Sequence, residues 1–486
     1  MNRNHPGRVL AIGMDAAEST LVRSLIESGD LPALAALLDQ GTWSRVTGPA
    51  EYSSGAVWPS FWSGRLACDH GLYGLWNWDP AAMGMTYSDP SGIPAFWESL
   101  TREGATVGVL DVPFAPLVGV TDGFEVAEWG PHDRVKGRVR VSPASLADVV
   151  AEEVPPHPFA HPLARPPFEP AQVPDFLEQC LAGVRQRGDL ALRLVTRTQP
   201  DVTVVVFPES HHGGHFLWHT VQPDLSMFGD LPRSAFPDKT LVDVYREIDR
   251  QIGRLVEATG PDTTVLVFAL HGMEPARGVP TLLEPLLDEL GLASRAVEGE
   301  RRRSTVSALK ARIPKPLRDL YWRSIPQSTR SQWGRAAVLP SYDWSRTRAF
   351  ALPIEHEGHI RINLAGREAQ GIVPPEEYAE TCEQIEKALL ALSTVDGRPV
   401  TRRVIRPPRG SHPGGLPDVV VHWDPAVFES RVQLDSGETW CMRREQSGQH
   451  ALDGFFLTNA PQLTGADDGT VAAEEIHQLI AAALQR

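Results

Sequence analysis

The stretch that decides the fold is Val9-Leu10-Ala11-Ile12-Gly13-Met14, and Asp15 follows it directly. Six apolar or small residues in a row are typical of a strand that is buried on both faces of a sheet. Similar runs occur at Thr106–Leu110, Asp201–Phe207 and Thr263–Leu270. Segments with helical apolar periodicity lie between them, at Ser19–Ser28, Leu31–Gln40, Val184–Thr198 and Lys239–Thr259. This alternation predicts an α/β fold with a largely parallel central sheet sandwiched by helices.

The second half of the chain continues the α/β pattern after a basic segment. From Arg295 to Arg335 there are 11 Lys/Arg side chains and three acidic ones, which gives a local charge of +8. We predict a helical insertion at 295–340, between catalytic-domain parts at 1–294 and 341–486. A charge run of this kind is either a solvated cap face or a lid or docking patch for an anion. After it we predict strands at Ala349–Leu352, His359–Leu364 and Val419–His422, and helices at Glu376–Leu392 and Val471–Leu484.

Composition excludes several classes of protein. The chain has 486 residues, a net charge of −15 and 42% hydrophobic residues, so it can bury a core and is not a disordered chain. The acidic balance argues against a nucleic acid polymer as partner, because phosphate backbones require a basic face. There is no signal-peptide pattern and no run of about 18 apolar residues, so we expect no membrane span. The sequence leaves the oligomeric state open.

Cysteine usage points to a reducing compartment. The four cysteines are far apart and form no C-x-x-C pair, which disfavours a disulfide framework and a thiolate zinc site. We therefore predict a cytoplasmic location.

Polar residues follow the predicted strands, where parallel sheets gather their ligands. Asp15 follows the first strand and is either an N-cap or a metal ligand. Ser54, with Ser53 as the alternative, precedes a predicted helix, where serine is a common cap and where a phosphate-like anion is also favoured. A serine nucleophile needs a base or a metal at this place, because the pKa of its hydroxyl is high.

Histidine is concentrated at the same predicted edge. Glu209, His211 and His215 lie within a dozen residues that hold four histidines, and the spacing of four puts His211 and His215 on one helix face. The alternatives are a proton relay and a polar loop. His271 follows the strand that ends near Leu270, and a glycine-flanked loop carries His450. Oxygen and imidazole ligands without thiolate suit zinc, manganese or iron.

These motifs, in this order, resemble the alkaline phosphatase superfamily, and within it the type I phosphodiesterase/nucleotide pyrophosphatase branch. The resemblance covers most of the chain. It rests on these segments: Gly13-Met14-Asp15, Gly29-Asp30-Leu31-Pro32, Trp58-Pro59-Ser60-Phe61-Trp62-Ser63-Gly64, His70-Gly71, His271-Gly272-Met273, Ile362-Asn363-Leu364-Ala365-Gly366-Arg367-Glu368, Gly371-Ile372-Val373 and Gly448-Gln449-His450. It implies an alkaline-phosphatase-like fold and a metal-dependent hydrolase of phosphoric esters.

Carried over residue by residue, the resemblance assigns Ser54 as the nucleophile. Asp15 and His271 would hold the metal that activates it. The second metal would have these ligands: His211, His215 and His450, with Glu209 as a substitute carboxylate.

The chain departs from the family pattern at two carboxylate positions, which here are Leu270 and His211. Fewer carboxylates hold two dications less strongly, so we expect one or two divalent ions per chain, zinc before manganese or iron. The expected substrate is a small-molecule phosphoester. The alternatives are a phosphomonoesterase, another enzyme acting on a small phosphorylated metabolite, and a catalytically degenerate binding or assembly protein on the same scaffold.

Overall fold

The structure is a computed structural model and describes residues 7–130, 139–160, 169–222, 239–276, 282–295, 342–354, 357–412, 414–424, 431–434, 436–437, 439–441, 446–463 and 469–485. Its contacts divide the chain into two units. The first unit comprises Met1–Tyr73, Asp89–Arg277 and Arg444–Arg486, and the second comprises Gly74–Ser88 and Gly278–Arg443. The predicted insertion at 295–340 lies outside the described residues apart from Arg295. The three-part division of the chain that includes it stays a prediction.

Nineteen strands lie in the described ranges: β1 (Arg8–Met14), β2 (Thr42–Thr47), β3 (Trp76–Asp79), β4 (Gly84–Tyr87), β5 (Val107–Leu110), β6 (Gly123–Ala127), β7 (Arg140–Ser142), β8 (Val202–Phe207), β9 (Thr263–Ala269), β10 (Gly272–Pro275), β11 (Ala349–Leu352), β12 (Gly358–Ile362), β13 (Thr401–Ile405), β14 (Val419–Trp423), β15 (Arg431–Gln433), β16 (Thr439–Cys441), β17 (Gly448–Ala451), β18 (Gly454–Thr458) and β19 (Thr470–Ala472).

Twelve α-helices lie in the same ranges: α1 (Ser19–Glu27), α2 (Pro32–Gln40), α3 (Val57–Ser63), α4 (Ala67–His70), α5 (Phe96–Arg102), α6 (Ala147–Glu152), α7 (Val173–Thr198), α8 (Glu209–Leu217), α9 (Leu241–Thr259), α10 (Leu283–Glu289), α11 (Tyr378–Ala391) and α12 (Ile476–Leu484).

A nine-stranded sheet organises the first unit, in the order β19-β2-β18-β9-β1-β8-β5-β6-β7. β1 lies at its centre and pairs in parallel with both β8 and β9. β18 is antiparallel to both of its neighbours, and β7 is antiparallel to β6. The remaining pairs are parallel, which confirms the predicted largely parallel sheet.

Helices cover both faces of this sheet. On one face Leu10, Ile12 and Met14 of β1 pack in a core with α1, α2, α7 and α9. On the other face Val9 and Ala11 pack with α3, α5 and α12. Because successive side chains of a strand point to opposite faces, a strand covered on both sides must be apolar throughout. This requirement explains why the run Val9–Met14 is apolar throughout.

The second unit has its own antiparallel sheet, in the order β11-β12-β14-β13. Its core joins this sheet to α10 and α11. The short pair β3 and β4 belongs to the same unit, and Trp78 packs there with Phe350. The predicted strands at Ala349–Leu352, His359–Leu364 and Val419–His422 are thus strands, but they pair antiparallel within this unit.

Two predicted helix boundaries were wrong. Helix α7 begins at Val173 and not at Val184. Gly183 lies inside this helix and does not end it. A glycine is needed there because an added Cβ would lie 2.5 Å from His157 Nε2. The closing helix begins at Ile476 and not at Val471, because Val471 lies in strand β19, which pairs with β2.

No helix in the part of the chain that the structure describes is long and apolar enough to span a bilayer.

The centre of the sheet generates a stability prediction. A Cβ at Gly13 would lie 2.6 Å from Trp58 Cη2, and Trp58 is buried against the same strand. Gly13→Ala should therefore force the indole to move and lower the free energy of unfolding by about 1–3 kcal/mol. Urea denaturation measures this loss.

Gly253→Ala is the matched control. It lies in α9, where the nearest atom to an added Cβ is Ala33 Cβ at 3.5 Å, an ordinary contact. Alanine favours the helix there, so the control should gain up to about 1 kcal/mol. Equal stability of Gly13→Ala and the wild type would contradict the packing described for Trp58.

Candidate functional site

The carboxyl ends of three neighbouring strands define the site. In the parallel register Met14 lies beside Phe207 and Gly13 beside Phe268, so β1, β8 and β9 end almost level. The residues that follow them are therefore brought to one edge: Asp15 after β1, helix α8 after β8, and His271 just beyond β9. This edge lies entirely within the first unit.

Three imidazoles converge at this edge. His211 and His215 lie on one face of α8, as predicted, and their Nε2 atoms are 2.7 Å apart. His450 lies on β17, which reaches the edge because it pairs with β10, the strand that follows His271. Its Nε2 is 2.8 Å from His211 Nε2 and 3.1 Å from His215 Nε2. These three residues, the histidine cluster, are grouped closely enough to hold one metal ion.

The other ring nitrogen of each histidine faces a different neighbour. His215 Nδ1–H donates to the backbone oxygen of Gly448 at 2.9 Å. His211 Nδ1 lies 3.1 Å from Asp15 Oδ2, and His450 Nδ1 lies 2.5 Å from Ser54 Oγ. Protonation on Nδ1 leaves the Nε2 lone pair for a cation, as in histidine metal ligands whose outer nitrogen is hydrogen-bonded. The lone pairs of three converging nitrogens repel one another unless a cation or shared protons lie between them. Imidazole nitrogens suit zinc, manganese or iron, so the three histidines fit one of these ions.

Ser54 and Ser53 are both buried but differ in what their hydroxyls contact. Ser54 begins a 3₁₀ turn, Ser54–Ala56, that leads into α3, and its Oγ faces His450. Ser53 Oγ instead donates to the backbone oxygen of Tyr73. Of the two candidates, Ser54 is therefore the one whose oxygen faces the histidine cluster.

Asp15 lies between two histidines and an indole. It is 1% exposed, and its Oδ1 accepts a hydrogen bond from Trp58 Nε1 at 2.7 Å. His271 Nε2 lies 3.8 Å from the same oxygen, and the rings of His271 and His450 are 4.6 Å apart. Asp15, Ser54 and His271 thus adjoin the histidine cluster at the expected edge.

Leu270 is fully buried in the core on the α3 face of the sheet. An aliphatic side chain cannot ligate a metal, so this position contributes packing where the family pattern places a carboxylate.

Glu209 is not brought to the histidine cluster, contrary to the expectation that it supplies a substitute carboxylate. At 3.6 residues per turn it points about 200° away from His211 on α8, toward the opposite helix face. Its Oε1 accepts from Arg187 Nε at 3.1 Å and from His157 Nε2 at 2.7 Å. The carboxylate is fully buried and is already paired, so it is unsuited to join a ligand set on the other face.

The pKa values of Glu209 and His157 follow from their burial and from their contacts with each other and with Arg187. Burial alone would raise the pKa of Glu209, but Arg187 and the His157 hydrogen bond outweigh it and lower the pKa to about 2. Burial lowers the pKa of His157, against the attraction of Glu209. His157 Nδ1 also accepts the Phe159 N–H at 3.1 Å, so the ring is neutral with its proton on Nε2.

A second serine–histidine pair joins α3 and α4. Ser60 Oγ is 2.9 Å from His70 Nε2, and both residues are buried. His70 Nδ1 accepts the backbone N–H of Leu72, so its proton lies on Nε2 and is donated to Ser60. His70 therefore cannot act as a base toward Ser60, and the pair anchors α3 to α4.

Sequence reasoning missed the partners of these side chains. Arg187 lies on the apolar stripe of α7, between the buried residues Val184 and Ala191, and a lone arginine on such a stripe is a readable signal of a buried ion pair. Trp58 lies in the segment Trp58–Gly64, which contributes to the family resemblance but predicts no partner for the indole. Its hydrogen bond to Asp15 joins residues 43 positions apart and has no local sequence signal.

Comparison with known proteins gives one family match. The sequence model of the type I phosphodiesterase/nucleotide pyrophosphatase family matches residues 9–428. Among curated proteins no match was found.

Two solved structures are similar to this chain. Phosphonoacetate hydrolase from Sinorhizobium meliloti 1021, in complex with phosphonoacetate, is similar over 99% of this chain and 96% of that chain, with 15% identity and a TM-score of 0.54. Murine ectonucleotide pyrophosphatase/phosphodiesterase 5 has 11% identity, covers 98% of this chain and 95% of that chain, and has a TM-score of 0.45. The similarity to phosphonoacetate hydrolase confirms the predicted alkaline-phosphatase-like α/β fold.

The lowered pKa of His157 generates a prediction about acid stability. The unfolded chain binds a proton near the usual pKa of 6.5, whereas the folded chain binds it only at lower pH. Stability is therefore lost as the pH falls below about 6.5, by up to about 1.4 kcal/mol per pH unit. His157→Gln keeps a donor toward Glu209 and does not titrate. Urea unfolding at pH 7.5 and 5.5 should show a smaller acid loss in His157→Gln than in the wild type, and equal losses would contradict a buried neutral His157.

Proposed function

Because the chain belongs to the type I phosphodiesterase/nucleotide pyrophosphatase family, a family of phosphoester hydrolases, we propose that it is a metal-dependent hydrolase of small-molecule phosphoric esters with Ser54 as its nucleophile. The observation that carries this proposal is the position of His450. Its Nδ1 faces Ser54 Oγ at 2.5 Å, while its Nε2 completes the histidine cluster. One imidazole thus links the proposed nucleophile to the proposed metal ligands.

His211, His215 and His450 would hold a divalent ion, with zinc the first expectation and manganese or iron also suited by imidazole ligands. A bound dication would supply Lewis-acid stabilisation to the phosphoryl group and to the oxygen nucleophile. Asp15, 3.1 Å from His211 Nδ1, would orient that ring. Glu209 is not part of the proposed ligand set, because its carboxylate pairs with Arg187 on the opposite face of α8.

Asp15, His271 and Ser54 would form a second metal position. Leu270 removes the carboxylate expected there, so this position carries less negative charge and should hold its ion less tightly. We therefore propose one or two ions per chain, with the histidine cluster as the tighter site.

Ser54 Oγ would attack phosphorus and form a covalent phosphoryl-serine, while the bond from phosphorus to the ester oxygen breaks and the alcohol leaves with a proton. Water would then attack the same phosphorus, which breaks its bond to Ser54 Oγ, releases the phosphate product and restores the serine hydroxyl. The burial of Ser54 limits the water that competes with substrate at its oxygen. Ser54 lies at the N-terminal end of the 3₁₀ turn Ser54–Ala56. The N-terminal end of a helix favours a phosphate group, because its first backbone N–H groups point toward that end.

We also propose a cytoplasmic location. Cys68, Cys180 and Cys382 are free and buried thiols. Burial raises the pKa of each of them, so they stay protonated and resist oxidation. The fourth cysteine, Cys441, has no described side chain.

The second candidate function is a binding or assembly protein on the same scaffold, and Leu270 is the observation that favours it. The two functions differ in metal content and in turnover, which the following two predictions measure.

Ser54→Ala should lower kcat/KM for a chromogenic phosphodiester or phosphomonoester by at least about 1,000-fold, because the attacking oxygen is removed. Ser53→Ala is the control, since its hydroxyl bonds the Tyr73 backbone oxygen and should affect activity far less. The substrate panel should include phosphonoacetate, the ligand in the similar hydrolase structure. Full activity of Ser54→Ala would exclude Ser54 as the nucleophile.

Metal content should follow the histidine cluster. Purified protein should contain between one and two divalent ions per chain by elemental analysis, and a chelator should remove activity that added zinc, manganese or iron restores. His215→Ala should lose the tighter ion, whereas His477→Gln, at the N-terminal end of α12, should keep it. A wild-type protein that carries no metal after careful purification and shows no turnover would favour the binding protein.

A further inference from the structure

The back of helix α8 is held by a group of buried charges that the proposed reaction does not use. Arg187, at the middle of α7, is fully buried, and its Nη1 donates to Asp111 Oδ2 at 2.7 Å. Its Nε donates to both oxygens of Glu209, at 3.1 and 3.3 Å. His157 completes the group through Glu209 Oε1. We call these four residues the α8 anchor.

Asp111 fixes the anchor to the sheet. It directly follows β5, and its carboxylate accepts the backbone N–H groups of Trp129 at 2.8 Å and Gly130 at 2.6 Å. The Arg187 guanidinium also lies over the Trp129 ring, 5.3 Å from its centroid. The arginine therefore cannot shift without breaking contacts to α8, to the residue that follows β5 and to the chain that follows β6.

Glu209 is the residue through which the anchor reaches α8. It is the first residue of this helix, and His211 and His215 follow within two turns. Because those histidines point to the opposite face, any rotation of α8 that freed Glu209 would swing both imidazoles away from His450.

Two further contacts act on the front of the same helix. Ser210 Oγ donates to the Asp15 backbone oxygen at 2.7 Å, and His215 Nδ1 bonds Gly448. These two contacts are single hydrogen bonds to backbone oxygens, and His211 Nδ1 adds a contact to one carboxylate, Asp15, at 3.1 Å. The back contact joins one guanidinium to two carboxylates.

We propose that Arg187 and Glu209 are positioning residues that fix the rotation of α8 and so preorganise His211 and His215 for the metal ion. This inference rests on the proposed function, since it requires the histidine cluster to bind a metal. The α8 anchor would thus contribute to the affinity for the metal ion as well as to the stability of the fold. Neither residue belongs to the proposed metal ligands, His211, His215 and His450.

The experiment measures zinc affinity by competition with a chromophoric chelator, the absorption spectrum of the cobalt-substituted protein, and the thermal midpoint of each variant. Arg187→Lys keeps the charge but cannot bridge two carboxylates with the planar fork of arginine. Glu209→Gln keeps the shape and removes the charge. Both should weaken zinc binding by about 10–100-fold, as loss of an outer partner of metal ligands does, and should change the cobalt spectrum.

Gly130→Ala is a further variant that leaves every charged residue in place. An added Cβ would lie 2.1 Å from Arg187 Nη2, so the guanidinium must move. Zinc affinity should fall in this variant also, which keeps the test valid if Arg187→Lys does not fold.

Arg361→Lys is the matched control for the cost of a buried arginine. Arg361 lies in the second unit, is fully buried, and donates through Nε to Glu368 at 2.7 Å. It should lower the thermal midpoint while leaving zinc affinity and the cobalt spectrum unchanged.

Folded Gly130→Ala and Glu209→Gln proteins with wild-type zinc affinity and an unchanged cobalt spectrum would overturn the positioning role and leave the proposed function intact. A wild-type protein that binds none of zinc, manganese and iron would overturn the proposed function, and this inference with it.

Discussion

The parallel register of β1 with β8 and β9 is the constraint on which the rest of the structure depends. It aligns Met14 with Phe207 and Gly13 with Phe268, so that three strands deliver their next residues to one edge. A shift of one residue would turn the side chains of β1 to the opposite faces of the sheet. Because β1 is apolar on both faces, the fit of its side chains to each core fixes its register, and the close approach of Trp58 to Gly13 is one such fit.

Charge is distributed unequally around helix α8. Behind it lie the buried, paired charges of Arg187, Asp111 and Glu209, and its front face carries imidazoles near a single carboxylate, Asp15. An imidazole at position 211 in place of a carboxylate lowers the negative charge that the front face offers to a cation. With less charge attraction, the affinity for the ion depends more on holding His211 and His215 in place before the ion binds. This is the physical reason why the α8 anchor matters to the proposed metal site.

The sequence allowed the fold class and most of the site to be predicted, because both depend on local patterns. Continuous apolar runs identified the central strands, and the spacing of His211 and His215 identified one helix face. The role of Glu209 was predicted wrongly, because distance along the chain does not show to which side of a helix a residue points until its partners are known. The partners of Glu209, Arg187 and His157, are 22 and 52 residues away. The antiparallel pairing of the strands in the second unit could not be predicted either, because the sequence of a short apolar strand does not show whether its partner runs parallel or antiparallel.

The central claim is that the Nε2 atoms of His211, His215 and His450 bind one divalent ion beside Ser54. The most direct measurement is an anomalous-difference map from crystals of the zinc-loaded protein, recorded on both sides of the zinc absorption edge. The account predicts a peak about 2.0–2.1 Å from all three Nε2 atoms. A protein with no peak at this position, or with its strongest peak between Asp15 and His271, would contradict it.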